Sequence, residues 1–245
     1  MHAANIRPED RAALEAALSR LGLDLDEDAK SNLLLYLYFL IEKNRTVNLT
    51  SITDMSEAIV LHLEDTLAIL SEVHLSSGAL CDIGSGGGVP GVPLSIVTGR
   101  NAVLLESVKK KSRAVGEIVE GLGYSEQISC IPQRSEEFTE THGERFSLVT
   151  TRAVATLSSV MELASPLLSQ GGYFVAMCGD ADENERIARS PLCEKFGYSF
   201  HSSRTFSIGN RGSEHSRSVF VFTRDFQPSV TLPRRPGMAT KRPYR

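Results

Sequence analysis

The sequence predicts an α/β fold: a doubly wound parallel sheet with an antiparallel final strand and an N-terminal helical extension. Three observations lead to this prediction. The first 76 residues show helical periodicity alone, short apolar runs alternate with helical segments from residue 79 onward, and a glycine-rich turn over 84–91 joins the first apolar run to a helix. Regular alternation of strands and helices is typical of a parallel sheet with helices on both faces.

Three helices are expected in the N-terminal region. The first begins at Pro8, the second covers about 27–44 and the third about 56–70, each with leucine or isoleucine recurring every three or four residues. That spacing places the apolar side chains on one face of each helix. We therefore expect residues 1–76 to form a helical region that packs on the rest of the chain.

The apolar runs after residue 77 are the candidate strands of the sheet. Five of them should be parallel, because helical runs separate them: 79–83, 102–106, 128–132, 146–151 and 172–178. The helical runs lie near 91–98, 108–122, 155–169 and 180–190.

Two further apolar runs, 197–206 and 217–223, have no long helix between them. They should therefore pair as an antiparallel hairpin, since parallel neighbours need a longer crossover connection. The sheet domain is thus expected over 77–226. A basic C-terminal tail, 227–245, is expected to lie extended over the surface.

The turn Gly84–Gly91 lies between a predicted strand and a predicted helix. Glycine has no Cβ, so a ligand can approach the backbone closely there. Pro90 stands where a missing N–H costs little, and the other N–H groups at the start of the helix can face an anionic group. The turn therefore predicts a nucleotide-like cofactor at the first βα connection.

Two cofactors fit this turn. Glycines at 86, 88 and 91, with Glu106 near the end of the next strand, match the spacing of a dinucleotide-binding fingerprint. Glycines at 84, 86 and 88, directly after Asp82, match the loop of S-adenosylmethionine methyltransferases instead. A carboxylate such as Glu106 suits the ribose hydroxyls of either. The antiparallel pair at the end of the sheet favours the methyltransferase.

The charges are distributed unevenly along the chain. The net charge is −4, but the segment from Arg204 onward holds nine Lys or Arg against two acidic residues, which leaves 17 basic and 28 acidic residues before it. Such segregation indicates that one end of the molecule meets a polyanion. A basic segment that is merely solvated remains the alternative.

Composition also excludes several classes of protein. The four cysteines are scattered without the paired spacing of a metal site or a disulfide framework. The first ten residues contain no apolar stretch of the kind a signal peptide needs. The longest apolar run, 33–41, is too short to span a bilayer. We therefore expect a cytoplasmic protein that uses neither a metal nor a membrane.

Several short motifs together resemble one family in order and spacing. They are Asn48-Leu49-Thr50, His62-Leu63-Glu64-Asp65-Thr66-Leu67, Asp82–Gly91, Glu106–Lys110, Arg134–Glu137, Thr151–Ala155 and Pro233–Pro243. From about residue 30 to residue 243 the chain resembles the bacterial 16S ribosomal RNA guanine-N7 methyltransferases of the RsmG (GidB) type. No single motif is specific, but the set is.

The resemblance implies a Rossmann-like class I methyltransferase fold with S-adenosylmethionine as its cofactor. It places Gly84, Val89, Ser135, Glu136 and Arg152 at cofactor-contacting positions. The loop itself adds Asp82, Gly86, Gly88 and Glu106 to the candidate cofactor site. The expected reaction is methylation of N7 of guanine 527, in the 530 loop of 16S rRNA of the small ribosomal subunit. Since N7 carries a lone pair and no proton, no general base is expected.

Contacts to the RNA are expected from basic side chains and one histidine. The candidates are His62, Lys109, Lys110, Arg152, Arg234, Arg235, Lys241 and Arg242. His62 has a second interpretation, because His62 and Asp65 lie three residues apart on one helical face. That spacing also predicts a hydrogen-bonded polar seam between the helical region and the sheet.

The chain departs from the family pattern at two positions. Leu61 and Cys178 stand where the family usually carries Arg and Lys. Losing both cations should weaken contacts to the substrate and spare the cofactor. The alternatives left open are a methyltransferase for another RNA or a small molecule, a Rossmann-type NAD-binding protein, and an RNA-binding module that kept the glycine turn.

Overall fold

The N-terminal region is helical, as expected. The computed structural model describes residues 6–143, 145–152, 155–179, 181–210 and 212–244. Helices α1 and α2 cover Pro8–Leu21 and Glu27–Asn44. None of the helices in these ranges is long and apolar enough to cross a membrane.

The third predicted helix is interrupted. It consists of α3 (Met55–Ala58), a π-helical segment (Ile59–Glu64) and α4 (Asp65–Leu67), and α5 (Leu70–Val73) follows it. A π-helical turn inserts an extra residue, and such turns are frequent at functional sites. Here it carries His62 and Glu64, and Asp65 follows at the start of α4; all three are between 1% and 4% exposed. Apolar periodicity could not have shown this interruption.

The sheet has seven strands in the order β3-β2-β1-β4-β5-β7-β6. The strands are β1 (Leu80–Ile83), β2 (Ala102–Leu105), β3 (Ile128–Ile131), β4 (Phe146–Arg152), β5 (Leu168–Cys178), β6 (Tyr198–Ile208) and β7 (His215–Arg224). Strands β1 to β5 are parallel, and β7 is antiparallel to both β5 and β6. The predicted fold class is confirmed.

Helices connect the parallel strands and follow them. They are α6 (Gly91–Thr98), α7 (Lys109–Gly121), α8 (Ser135–His142), α9 (Leu157–Ala164), α10 (Ala181–Ala188), α11 (Leu192–Lys195) and α12 (Met238–Lys241). Helices α8 and α11 were not predicted, because they are short and mostly polar. The C-terminal segment, predicted to be extended, contains the single turn of α12.

The largest boundary error lies between β4 and β5. The sequence predicted a helix over 155–169, but α9 ends at Ala164, and Ser165–Leu167 forms a 3₁₀ turn. Pro166 lacks a backbone N–H, which ends the regular helix. Strand β5 then begins at Leu168 instead of 172, with an irregular pairing to β4 between Phe146 and Leu148.

One apolar core joins the helical region to the sheet. Leu33 and Leu37 of α2 belong to the same cluster of buried residues as Leu80 of β1 and Val115 of α7. A polar contact reinforces this packing, since the buried Tyr36 hydroxyl donates to the carbonyl of Gly87 at 2.8 Å. Helix α2 therefore supports the glycine turn directly.

The basic C-terminal end predicted from charge is smaller than the sequence indicated. Arg204 and Arg217 lie in β6 and β7, where they pair with Glu72 and Asp65 of the helical region. Arg224 ends β7 in a buried position and donates to the Ser165 carbonyl. Part of the excess positive charge therefore neutralises the helical region and does not form a free surface.

Arg20→Ala is expected to lower the free energy of unfolding by about 2 kcal/mol. Glu64 is 1% exposed and accepts two hydrogen bonds from Arg20, so the substitution leaves a buried carboxylate without its cation. Arg20 itself is partly exposed, which moderates the loss. Urea denaturation measures the change. Arg11→Ala, which breaks an exposed pair with Glu27, is the control and should change little. Equal losses of unfolding free energy in the two variants would contradict the larger contribution of the Arg20–Glu64 pair.

Candidate active site

Backbone hydrogen bonds attach the glycine turn to the sheet. The N–H groups of Gly84 and Ser85 donate to the Leu105 carbonyl at 2.8 and 3.2 Å, and Gly88 donates back to Ser85 at 2.7 Å. A Cβ on Gly88 would lie 2.9 Å from a methyl of Val92, so only glycine fits there. At Gly86 a Cβ would meet nothing closer than the Gly84 carbonyl at 3.9 Å, so this face of the turn is open.

Asp82 lies beneath the turn. It is fully buried, and Oδ2 accepts from the Gly91 N–H at 3.0 Å at the start of α6. Its other oxygen, Oδ1, has no hydrogen-bond partner within the described ranges, and neither has Thr150 Oγ1. Burial raises the pKa of Asp82 to about 7. Asp82 therefore stabilises the turn from its buried side, through the hydrogen bond to Gly91.

Glu106 faces the turn from the end of β2. One carboxylate oxygen accepts from Gly86 N–H at 3.1 Å and the other from Val108 N–H at 2.8 Å. These two backbone donors hold the carboxylate in one orientation. Each oxygen keeps a lone pair for another donor, so Glu106 can accept hydrogen bonds from a ligand beside Gly86.

Ser135 and Glu136 open α8, directly after β3, and both are buried. Ser135 Oγ donates to Glu136 Oε2 at 3.4 Å. Glu136 Oε1 accepts from the N–H of Gly237 at 2.8 Å. The C-terminal segment therefore reaches the same edge of the sheet as the glycine turn.

Arg152 ends β4 and joins the sheet to the π-helical segment. Its Nη1 donates to the Leu61 carbonyl at 2.6 Å and to Asp65 at 3.3 Å, and its Nη2 lies 3.1 Å from His62 Nδ1. The other nitrogen of His62 lies 3.0 Å from the Thr50 hydroxyl oxygen. Burial, together with the charge of Arg152, lowers the pKa of His62 to about 4. The imidazole is therefore neutral at physiological pH.

Two adjoining cavities share Arg152. The smaller, of about 160 Å³, is lined by Gly84–Gly87, Val89, Thr50 and His62 among others. The larger, of about 380 Å³, is lined by Ile52, Leu61, Asp65, Met177, Cys178, Gly179 and Arg217. A still larger cavity of about 520 Å³ lies along α2 and shares no residue with the glycine turn.

Comparisons against known proteins agree with the fold. A family model described as rRNA small subunit methyltransferase G (GidB) matches residues 29–212 of this chain.

This chain belongs to that family.

Two relatives named ribosomal RNA small subunit methyltransferase G illustrate the match. The protein from Oceanobacillus iheyensis is 33% identical over 93% of this chain and 96% of its own length. The protein from Listeria monocytogenes is 31% identical over 94% of this chain and 97% of its own length. Both alignments extend over nearly the whole of both proteins.

Solved structures support the fold alone. A precorrin-6y C5,15-methyltransferase from Geobacter metallireducens has a TM-score of 0.51 at 12% identity, covering 73% of this chain and 92% of that one. A ribosomal protein L11 methylase from Lactobacillus delbrueckii has a TM-score of 0.51 at 11% identity, covering 66% of this chain and 78% of that one. The shared architecture is that of class I methyltransferases.

The two departures from the usual family residues lie in one place. Leu61 and Cys178 both line the 380 Å³ cavity. A cation that the sequence analysis did not select, Arg217 of β7, lines the same cavity and donates to Asp65 at 3.2 Å. Asp65 thus pairs with both Arg152 and Arg217. Arg152 and Arg217 are far apart in the sequence, and the pairing of β5 with β7 brings them together. Their proximity could therefore not be predicted from sequence spacing.

The candidate RNA-contacting cations fall into two groups. Lys109 and Lys110 are exposed at the start of α7, on the same sheet edge as the glycine turn, and Lys110 also donates to the Thr46 carbonyl. In the C-terminal segment Arg234 forms two hydrogen bonds to Glu162, which is fully buried. A further set remains exposed: Arg235, Lys241 and Arg242. Arg234 is therefore an anchor of this segment.

The contribution of His62 to stability should be lost as the pH decreases from about 6.5 to 4. The folded protein holds the pKa of this imidazole near 4, whereas an unfolded chain leaves it near 6.5, so only the unfolded state gains the proton in that range. The contribution reaches about 3 kcal/mol at most. As the pH decreases across this range, the urea midpoint of the wild type should decline relative to that of His62→Gln.

Asp82 acts in the opposite direction over a similar range. Its raised pKa makes the folded state lose stability as the pH rises from about 4 to 7. Asp82 is present in both proteins, so its effect cancels in the comparison of His62→Gln with wild type. Identical pH profiles for the two proteins would contradict a buried neutral His62.

Proposed function

We propose that this protein methylates N7 of guanine 527 in 16S rRNA of the small ribosomal subunit, with S-adenosylmethionine as the methyl donor. The observation that carries the proposal is the meeting of the open glycine turn, Glu106 and Arg152 at one sheet edge, beside a second cavity. Family membership supports the rRNA substrate, and the sequence resemblance supports the atom and the nucleotide.

The residues at this edge fit S-adenosylmethionine. The oriented Glu106 carboxylate suits two ribose hydroxyls, and the open face of Gly86 allows close approach. The N-terminus of α8, with Ser135 and Glu136, lies at the next strand end, where an adenine would follow the ribose. Bound there, S-adenosylmethionine supplies an electrophilic methyl group on a sulfonium.

The contribution of the protein to the reaction is positioning. Guanine N7 presents a lone pair and no proton, so no residue needs to act as a base, and we assign none. Orientation of two reactants in adjoining cavities removes most of the entropic barrier to an in-line transfer. The 380 Å³ cavity offers apolar contact from Leu61 and Met177 and polar contact from Asp65 and Arg217. We assign it to the target base.

The cations around this edge suit the phosphates of the RNA. Lys109 and Lys110 stand at the end of β2, and Gly237 attaches the C-terminal segment to Glu136 at the end of β3. We therefore assign phosphate contacts to the exposed cations on these elements, which are Lys109, Lys110, Arg235, Lys241 and Arg242. Arg234 anchors the C-terminal segment through Glu162, and His62 lies inside the site between Thr50 and Arg152.

Methyl transfer to the small subunit tests the proposal. Small subunits from a strain lacking this activity should accept label from tritiated S-adenosylmethionine, and borohydride–aniline cleavage should place one modified guanine in the 530 loop. Label at another nucleotide would contradict the assigned target. Binding of NADH in place of S-adenosylmethionine would contradict the cofactor.

Gly86→Val is expected to weaken binding of S-adenosylmethionine at least tenfold. The added side chain occupies the open face of the turn, where only the Gly84 carbonyl lies within 4 Å of a Cβ. Titration calorimetry measures the affinity. Gly99→Val is the matched control, because Gly99 also has a positive φ and free space around its Cβ but lies at the other end of α6. Equal affinity of the two variants would contradict the placement of the cofactor.

A further inference from the structure

We propose that Thr50 is a cofactor-recognition residue whose hydroxyl donates a hydrogen bond to the carboxylate of bound S-adenosylmethionine, and that Arg152 and His62 fix its role as donor. The inference rests on the proposed function and deepens it. Thr50 is the last residue of the motif Asn48-Leu49-Thr50. In the structure it lines the 160 Å³ cavity together with the glycine turn.

Arg152 determines which atom donates in each hydrogen bond between itself, His62 and Thr50. A guanidinium has only N–H donors and no acceptor. His62 Nδ1, 3.1 Å from Arg152 Nη2, must therefore accept. A neutral imidazole that accepts at Nδ1 carries its proton on Nε2. Nε2 consequently donates to Thr50 Oγ1 across 3.0 Å.

The Thr50 oxygen receives a second donor. The backbone N–H of Ile52 donates to it at 3.1 Å. A hydroxyl has two acceptor lone pairs and one O–H donor, so both lone pairs are in use. Within the described ranges no acceptor receives the remaining O–H. The hydroxyl is left with a proton to donate into the cavity.

The position of Thr50 is fixed independently by Asn44 at the end of α2. Asn44 Oδ1 accepts from the N–H groups of Leu49 and Thr50 at 2.7 and 3.0 Å, and its Nδ2 donates to the Thr50 carbonyl at 2.8 Å. One side chain thus holds the backbone of Thr50 on both sides. A donor held in advance gains most from a charged acceptor, because no reorganisation is needed on binding.

The surroundings of Thr50 select a carboxylate as the acceptor. Among the described residues that line the 160 Å³ cavity none is acidic, whereas the Arg152 cation is one of them. The Gly87 N–H, in the same wall, donates to no atom of the residues the structure describes. The neighbouring cavity, by contrast, contains Asp65. Among the parts of S-adenosylmethionine, the methionine carboxylate matches a cavity with hydrogen-bond donors and positive charge.

The test compares two ligands that differ only in this carboxylate. Calorimetry gives the affinities of wild type and Thr50→Val for S-adenosylmethionine and for its decarboxylated analogue. Thr50→Val should bind S-adenosylmethionine about tenfold more weakly and the analogue unchanged, so the preference for the carboxylate falls about tenfold. In turnover, KM for the cofactor should rise while kcat stays within a few-fold of wild type.

Matched variants separate recognition from structure. Thr50→Ser keeps the hydroxyl and should restore the preference, and Thr53→Val makes the same change at an exposed position of the same loop and should leave it intact. Thr50→Ala replaces Thr50→Val if the latter does not fold. Equal weakening of both ligands, or no weakening, would overturn the inference alone. A wild-type protein that binds neither ligand would overturn the proposed function as well.

Discussion

The hydrogen bonds of Arg152 connect the end of β4 to the π-helical segment, and the geometry of both cavities depends on them. The guanidinium contacts the Leu61 carbonyl and His62 in the π-helical segment, and Asp65 at the start of α4. The widened turn and the arginine therefore stabilise each other, and together they separate the glycine-turn cavity from the cavity assigned to the base.

Burying ionisable groups requires compensation, and the chain provides it from distant elements. Glu64 is paired with Arg20 of α1, and Asp65 with arginines from β4 and β7. An unpaired buried charge would be strongly destabilising. The pairs of Asp65 link the helical region to the parallel part of the sheet at β4 and to its antiparallel part at β7. Arg217, and Arg204 through its pair with Glu72, are therefore basic residues of the last part of the sequence that are paired within the protein.

Local patterns predicted the fold well. Strand–helix alternation and the glycine turn depend on neighbouring residues, so the sheet, α6, α7 and the position of Gly84–Gly88 followed from the sequence. Helix α8 was missed because Phe138 is its one large apolar side chain that is buried. The strand ending at Cys178 was predicted to begin late, because Gly171 and Gly172 resemble a turn.

Features that depend on distant contacts could not be predicted. The sequence predicted that Arg217 belongs to a basic C-terminal end. In the structure the antiparallel pairing of β7 places it beside Asp65. Arg234 could be distinguished from Arg235 only by the buried Glu162 that it contacts. Thr50 gained its proposed role from three partners, Asn44, His62 and Ile52, whose arrangement requires the folded loop.

The central claim is that burial and the charge of Arg152 keep His62 neutral, and that the hydrogen bond from Arg152 places its proton on Nε2. Two-dimensional ¹H–¹⁵N NMR of the imidazole nitrogens at pH 7 tests this directly, with His62→Gln used to assign the signal. The account predicts a protonated Nε2 and an unprotonated Nδ1, unchanged down to about pH 5. A proton on Nδ1, or a cationic ring at pH 7, would contradict it.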